Sequence, residues 1–327
     1  MNAFEYVQAS SVEQAIGQLK QPRVLLKAGG VDVLDRLKEG LDRPKRVVGI
    51  GEVKDLDYLR DDPKDGLRIG PLVKLATLEN HPAVRSRYFA IAEAAGHVAT
   101  PQIRNSATLG GNLLQRPRCW YFRSNDFHCR KKSGEVCYAQ RGENQFHAIF
   151  GNYACAMVHP STVANPLVAF GATLKIVGPK GHRELPLETF FTPPEKDVTR
   201  ENSLGSDELV VEIRVPAPAS GTRSVYAKQG EKESFDWPIA EVAAVLEMDG
   251  ATCRRAAIVL GAAAPIPYRA ARAESALAGR TLDEAAATEA ATLAMQGATP
   301  LDKNAYKIKV FKAVIRRTLL SAAGGAA

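Results

Sequence analysis

Apolar and polar positions along the chain switch repeatedly between the helical and the strand period, and loops divide this patterning into three stretches. In the first, Ser10 and Ser11 precede Glu13 and Gln14 in capping-box register, which predicts a helix through about Leu19. Residues 24–27 read as a short strand, residues 32–39 as a helix, and residues 46–50 as a second strand. This is a βαβ-type unit over residues 1–55, because alternating elements are the mark of parallel strands.

The second stretch, residues 56–220, opens on a strand near residue 67 and a helix over 90–98. A glycine-bearing turn, Thr108-Leu-Gly-Gly-Asn112, then leads into a cysteine-rich loop. Beyond that loop, residues 166–171 read as a helix, and 172–177 and 208–215 as strands. A proline and glycine cluster at 216–221 reads as a linker. The third stretch, 221–327, predicts strands over 224–229, 240–248 and 256–260, then helices over 269–277, 282–295 and 304–320. On the last helix Ile308, Phe311, Ile315 and Leu319 share one face, flanked by Lys307, Lys309, Lys312, Arg316 and Arg317. That pattern fits an amphipathic helix laid on a sheet. The alanine and glycine tail, 322–327, is expected to fray.

Composition narrows the function classes. The 327 residues suffice for two or three domains with ordinary cores. No apolar run approaches the roughly 18 residues of a membrane span. The first residues lack a basic region followed by an apolar one, so the expected location is the cytoplasm, or the periplasm if a partner subunit carries the folded chain across. The net charge of +7 would suit nucleic acid, but no nucleic-acid motif accompanies it. An anionic cofactor or an acidic partner accounts for the basic residues equally well.

Four of the five cysteines, Cys119, Cys129, Cys137 and Cys155, fall within 37 residues, with nine, seven and seventeen residues between them. Clustered thiolates on irregular chain are what a polynuclear metal centre needs. The tight Cys-x-x-Cys pairs of a zinc ribbon are missing. Iron–sulfur clusters tolerate wide spacing where a fold supplies the geometry. Zinc, a pair of disulfides, or purely structural thiols remain open from spacing alone, although disulfides are disfavoured in a large chain without a secretory signal. Cys253 reads as a packed thiol entering a strand. His128, His147 and His159 lie near the loop and read as hydrogen-bonding residues, given four thiolates. Trp120, Tyr121 and Phe122 are expected to cover a cluster.

Two Gly-Gly pairs carry the second signal. Gly29-Gly30 follows a strand and opens a helix, so successive backbone N–H groups can turn onto a phosphate. Gly110-Gly111 offers the same from the neighbouring stretch, which suggests a diphosphate held between two subdomains. The Rossmann fingerprint is absent, since Gly49-Ile-Gly51 lacks the third glycine.

With these residues in view, Ala28-Gly-Gly-Val-Asp32, Gln102-Ile-Arg-Asn-Ser-Ala-Thr-Leu-Gly-Gly-Asn112, His159-Pro-Ser161 and Gly261-Ala-Ala-Ala-Pro-Ile-Pro-Tyr-Arg-Ala270 together resemble the FAD-binding (medium) subunit of the xanthine dehydrogenase family of molybdenum hydroxylases. The resemblance runs through nearly the whole chain. It implies an α+β fold: a two-subdomain FAD-binding domain of the vanillyl-alcohol-oxidase type, then a CO-dehydrogenase-flavoprotein-like C-terminal domain of sheet and helices. The cysteine segment, about 115–158, is similar to the [4Fe–4S]-binding insertion in the FAD subunits of periplasmic aldehyde oxidoreductases and 4-hydroxybenzoyl-CoA reductases. On that resemblance the four cysteines are cluster ligands.

The same resemblance implies that Leu26, Lys27, Ala28, Gly29, Gly30, Val31, Asp32 and Val33 bind the FAD diphosphate, with Thr108, Gly111 and Asn112 opposite. Ser161 and Thr162 would lie near ribose or diphosphate, and Lys228 would approach the flavin. Two departures stand out: Val31 replaces the family's threonine, and Thr162 replaces an aspartate that usually fixes FAD. Asp32 is equally compatible with a plain helix cap. The implied partners are a molybdenum-cofactor large subunit, a small subunit with [2Fe–2S] clusters and an external electron acceptor, the protein being an oxidoreductase subunit without catalytic acid or base of its own. A 4-hydroxybenzoyl-CoA-reductase-like FAD subunit, a free-standing flavin oxidase and a zinc-bound scaffold are the competing readings.

Overall fold

The computed structural model describes residues 1–324. The tail expected to fray is helical as far as Gly324, and its remainder lies outside the described residues.

Three sheets organise the chain. The first has strands β1 (Glu5–Gln8), β2 (Val24–Lys27) and β3 (Arg46–Gly49), all parallel in the order β1-β3-β2. Helices Val12–Leu19 and Val31–Lys38 connect them. The predicted capping box forms: Ser11 Oγ accepts from the Gln14 amide at 3.2 Å, and the Gln14 side chain accepts from the Ser10 amide at 3.0 Å. Ser11→Ala is expected to cost about 1 kcal/mol in equilibrium denaturation, the usual value of a lost N-cap.

The second sheet runs β4-β5-β8-β6-β7 and is antiparallel, from β4 (Leu59–Asp62), β5 (Gly66–Ile69), β6 (Thr173–Gly178), β7 (Gly181–Pro186) and β8 (Leu209–Val215). Helices Leu75–Asn80, Pro82–Arg87 and Phe89–Gly96 pack on it; only the last was expected. The expected glycine turn at 108–112 is itself a short helix, Leu109–Leu113, capped by Thr108 Oγ1 on the Gly111 amide at 3.2 Å.

The third sheet comprises β9 (Thr222–Gln229), β10 (Ala240–Asp249), β11 (Thr252–Gly261), β12 (Tyr268–Arg269) and β13 (Arg280–Thr281). Both of its faces are buried. Ala243, Val245, Ala257 and Val259 join the core of the second sheet, while Val242, Leu246, Ile258 and Leu260 face helices Ala271–Leu277, Glu284–Ala294 and Tyr306–Gly324. This explains why β10 is almost continuously apolar and does not alternate with polar residues. Cys253 is buried in β11, as expected of a packed thiol. Phe311, Ile315 and Leu319 are buried on the last helix, but Lys307, placed by its spacing on the flank, is fully buried as well. Its ammonium donates to the carbonyls of Phe146, His147 and Ala262 at 3.3, 3.0 and 2.6 Å. Burial pushes it down to about 7.

Candidate functional site: a glycine-lined cleft beside a nest of four cysteines

A cleft of about 500 Å³ separates the first sheet from the second. Leu26, Ala28, Gly29, Gly30, Val31, Asp32 and Val33 line it on one side, and Thr108, Gly111 and Asn112 on the other. The glycines are there for close approach. A Cβ on Gly29 would lie 2.0 Å from the Ser106 carbonyl oxygen, and Gly30 has φ +82°, which favours glycine. Gly29→Ala is therefore expected to push the two walls apart and reduce flavin per chain at least tenfold, measured by absorbance after gel filtration.

The two turns differ in what they offer an anion. Val31, Asp32 and Val33 open a helix, where the first amides have no partner within the helix and the dipole favours negative charge. In the opposite turn the amides are already engaged: Leu109 donates to Val73 O, Gly110 to Pro71 O, Gly111 to Thr108 Oγ1 and Asn112 to Thr108 O. The expectation that both turns present free amides changes accordingly. The first supplies backbone donors; the second supplies a closely packed floor. On Gly111 a Cβ would meet only Thr108 Oγ1, at 3.0 Å, so a ligand has open access to that backbone.

Four residues named from the sequence stand behind the lining. Lys27 is not part of the lining; its Cε lies 3.0 Å from where a Gly30 Cβ would be. Ser161 Oγ donates to Asn112 Oδ1 at 2.7 Å and so holds a lining residue in place. Thr162 Oγ1 donates to Glu241 Oε1 at 2.7 Å, and Lys228 Nζ donates to His97 O at 3.3 Å. Glu241 was not foreseen. It is fully buried, and its carboxyl also accepts from Tyr226 at 2.7 Å and Asn165 at 3.1 Å. Burial raises it above the usual carboxylate value. Its one sequence signal is an acid at the head of the apolar run Val242–Leu246.

Asp32 is not a helix cap; Gly30 takes that position without a side-chain bond. Its carboxylate instead accepts from Arg123 at 2.6 Å, the Arg116 amide at 3.0 Å and Arg36 at 3.3 Å, and pairs with Arg118 at 2.9 Å. Burial opposes its charge, yet Arg118 and Arg123 outweigh that and hold the carboxyl below its ordinary range. Arg123 also reaches Glu39 at 3.0 Å. The start of the cysteine segment is thus riveted to the helix that borders the cleft.

The four clustered cysteines converge. Cys119, Cys129, Cys137 and Cys155 line one small cavity, and all are free thiols. Tyr121, Phe122, Tyr138 and Met157 complete its apolar wall, with Arg130 and Lys131 beside them. Trp120 does not cover it as expected; it turns to an adjoining cavity and is partly exposed. Backbone amides point at the sulfurs: those of Phe122 and Tyr121 at Cys119, those of Ala156, Ala139 and Gln140 at Cys137, and that of Met157 at Cys155. Burial pushes Cys119 up to about 11, whereas the Cys155 S–H and the amides bring Cys137 down to about 6. Among the described residues no three of His, Cys, Asp and Glu are placed for a single metal ion. The four sulfurs border a common space, with backbone amide donors behind them.

The adjoining cavity, about 320 Å³, is lined by Arg118, Cys119, Trp120, His147, His159, Trp237 and Glu241 among others. It shares Arg118 and Trp237 with the glycine cleft, the guanidinium lying 5.0 Å from the Trp237 ring centroid. His159 is buried and accepts from the Ser161 amide at 3.3 Å; burial and Lys131 lower it to about 3, so it stays neutral. It acts as a hydrogen-bonding residue.

Geometry of this kind has counterparts. Residues 2–218 match the family described as the FAD binding domain in molybdopterin dehydrogenase, and residues 225–322 match the CO dehydrogenase flavoprotein C-terminal domain. The chain belongs to the FAD-binding medium subunits of the molybdenum hydroxylase family and is an FAD-dependent oxidoreductase subunit. It is 31% identical over 326 residues to the aldehyde oxidoreductase FAD-binding subunit PaoB of Escherichia coli (strain K12), spanning 98% of this chain and 99% of that one. It is 29% identical to the carbon monoxide dehydrogenase medium chain of Hydrogenophaga pseudoflava, over 98% of this chain and 96% of the relative. A solved carbon monoxide dehydrogenase from the same organism superposes with a TM-score of 0.78 at 28% identity, covering 100% of this chain and 99% of the other. The expected architecture, an FAD-binding domain followed by a CO-dehydrogenase-flavoprotein-type domain, therefore holds.

Proposed function

We infer that this chain is the electron-transfer subunit of a molybdenum hydroxylase complex, holding FAD in the glycine-lined cleft and a [4Fe–4S] cluster in the cysteine cavity. The observation that carries this reading is one peptide bond. Arg118 lines the cleft and Cys119 lines the cysteine cavity, so the two cofactor sites share a wall. When bound, FAD supplies two-electron chemistry and the cluster one-electron chemistry.

The residues of the chain position and insulate. The amides of Val31, Asp32 and Val33 would take the diphosphate, and Thr108, Gly111 and Asn112 would bound it from below. Leu26 and the other apolar lining residues exclude water. Ser161, Thr162 and Lys228 act one layer back, on Asn112, Glu241 and the His97 carbonyl. The partners are a molybdenum-containing large subunit and a [2Fe–2S] small subunit, from which electrons arrive, and an external acceptor that removes them.

The test is spectroscopic. The chain produced anaerobically with its partner subunits should show flavin bands and a broad iron–sulfur shoulder, both bleaching with dithionite, with about four irons per chain. Zinc in place of iron would overturn the cluster assignment, and a colourless, flavin-free complex would overturn the whole reading.

A further inference from the structure

His147 makes a contact that no cofactor-binding role assigns to it. Its Nε2 lies 3.2 Å from Cys119 Sγ. The residue is 5% exposed, and the ring is wedged edge-on against Trp120, with centroids 5.2 Å apart. Its backbone is clamped from the C-terminal helix and the turn before it: Lys307 Nζ and Asn304 Nδ2 donate to its carbonyl at 3.0 and 3.1 Å, and its amide donates to Asn144 O at 2.9 Å. An imidazole so fixed keeps its aim.

The tautomer follows from what surrounds the other nitrogen. Nδ1 is buried without a partner. A proton there would be a buried, unsatisfied donor, costing about 1–3 kcal/mol, and would leave a bare Nε2 lone pair facing sulfur. Once Cys119 ligates iron it is a thiolate with no S–H to give, so the bond survives only with the proton on Nε2. Among the described residues, Cys119 is the one clustered cysteine whose sulfur meets a side-chain hydrogen-bonding group other than another cysteine. It is also the sulfur beside the cleft, since Arg118 precedes it and both line the adjoining cavity.

We propose that His147 donates its Nε2–H to Cys119 Sγ in the iron-bound protein and thereby raises the reduction potential of the cluster at the corner nearest the flavin cleft. The physical basis is charge. Each electron added to the cluster makes its sulfurs more negative, so a fixed donor stabilises the reduced form more than the oxidised one. His147 is a positioning residue, acting on the ligand and not on the substrate. The inference rests on the [4Fe–4S] reading above.

The experiment is a potentiometric titration of the intact complex followed by electron paramagnetic resonance. His147→Phe, with iron content unchanged, should show about a tenfold lower ratio of reduced to oxidised cluster at a fixed ambient potential, about 59 mV for a one-electron couple. The FAD midpoint should stay put. His147→Gln, which keeps a donor, should recover most of the shift. In wild-type protein labelled with ¹⁵N-histidine, pulsed resonance of the reduced cluster should show one weakly coupled nitrogen and a proton that exchanges in D₂O. That measurement needs no variant. A wild-type midpoint in iron-loaded His147→Phe, or the absence of the nitrogen coupling, overturns the proposal while leaving the cluster in place. An iron-free wild-type complex overturns the cluster reading, and the proposal with it.

Discussion

Asp32→Ala is expected to strip the chain of flavin and iron together and to lower its stability by about 3–5 kcal/mol, the cost of leaving a buried ion pair half-made. The carboxylate is nearly buried and is the common partner of Arg36, Arg118 and Arg123. Without it the one ion pair left to Arg118 is with Asp35, at 3.5 Å, and Arg123 keeps Glu39. Both arginines belong to the entry of the cysteine segment, Arg118 in irregular chain and Arg123 at the end of the short helix Trp120–Arg123, so their release loosens that segment and the helix beneath it at once. Their pairing also explains how an acid can sit at the start of the helix proposed to take the diphosphate. Three guanidiniums held against this carboxylate offset its charge, so it does not stand as an isolated anion beside the cleft. Because folding holds Asp32 below its ordinary value of 3.8, its contribution is complete above that pH and is lost as acid titrates the folded group beneath it. The variant should therefore lose part of the acid limb of the wild-type stability profile. Thermal unfolding across pH, with flavin and iron per chain, checks each point; full loading of Asp32→Ala would remove the rivet from the argument.

How much of this was legible beforehand depends on what holds each element. Strands buried on a face, β3, β5, β6 and β8, announce themselves by their apolar residues, as does the half-buried edge strand β2. Among the missed ones, β1, β4 and β7 lie at sheet edges, largely exposed and carrying Glu, Arg and Asp, and β12 and β13 are two residues each; all exist through backbone pairing that composition does not record. The glycine turn at Gly29-Gly30 was readable because φ and close approach demand glycine there. The Leu109–Leu113 segment was misjudged as a turn because Thr108 and the loop at Pro71–Val73 supply its caps from outside. Cysteine clustering was visible as spacing; convergence of the four sulfurs needed the fold. Glu241 and Lys307 were invisible as buried polar residues, since their partners lie 79 and 160 residues away along the chain.

Cys137→Ser is expected to abolish the iron–sulfur shoulder and take iron from about four per chain to near zero, while flavin is retained. A serine oxygen is a poor match for iron in a thiolate-lined site, and the three amides aimed at Cys137, from Ala156, Ala139 and Gln140, favour a negative sulfur there. The cleft does not depend on this residue: its lining comes from other segments, and the rivet at Asp32 holds the entry to the cysteine segment at Arg116, Arg118 and Arg123, well before Cys137. Cys253→Ser is the control. That thiol is buried in β11, bonded to the Arg255 carbonyl at 3.4 Å, and outside the cysteine cavity. It should leave iron and flavin unchanged even if it costs some stability. Turnover of the Cys137→Ser complex then separates two roles for the cluster. If flavin reduction by substrate keeps its rate, the cluster braces the loop and electrons reach the cleft by another route. If it falls by orders of magnitude with flavin in place, the path runs through the sulfurs. Equal iron in the two cysteine variants would mean that the four thiols do not act as a set.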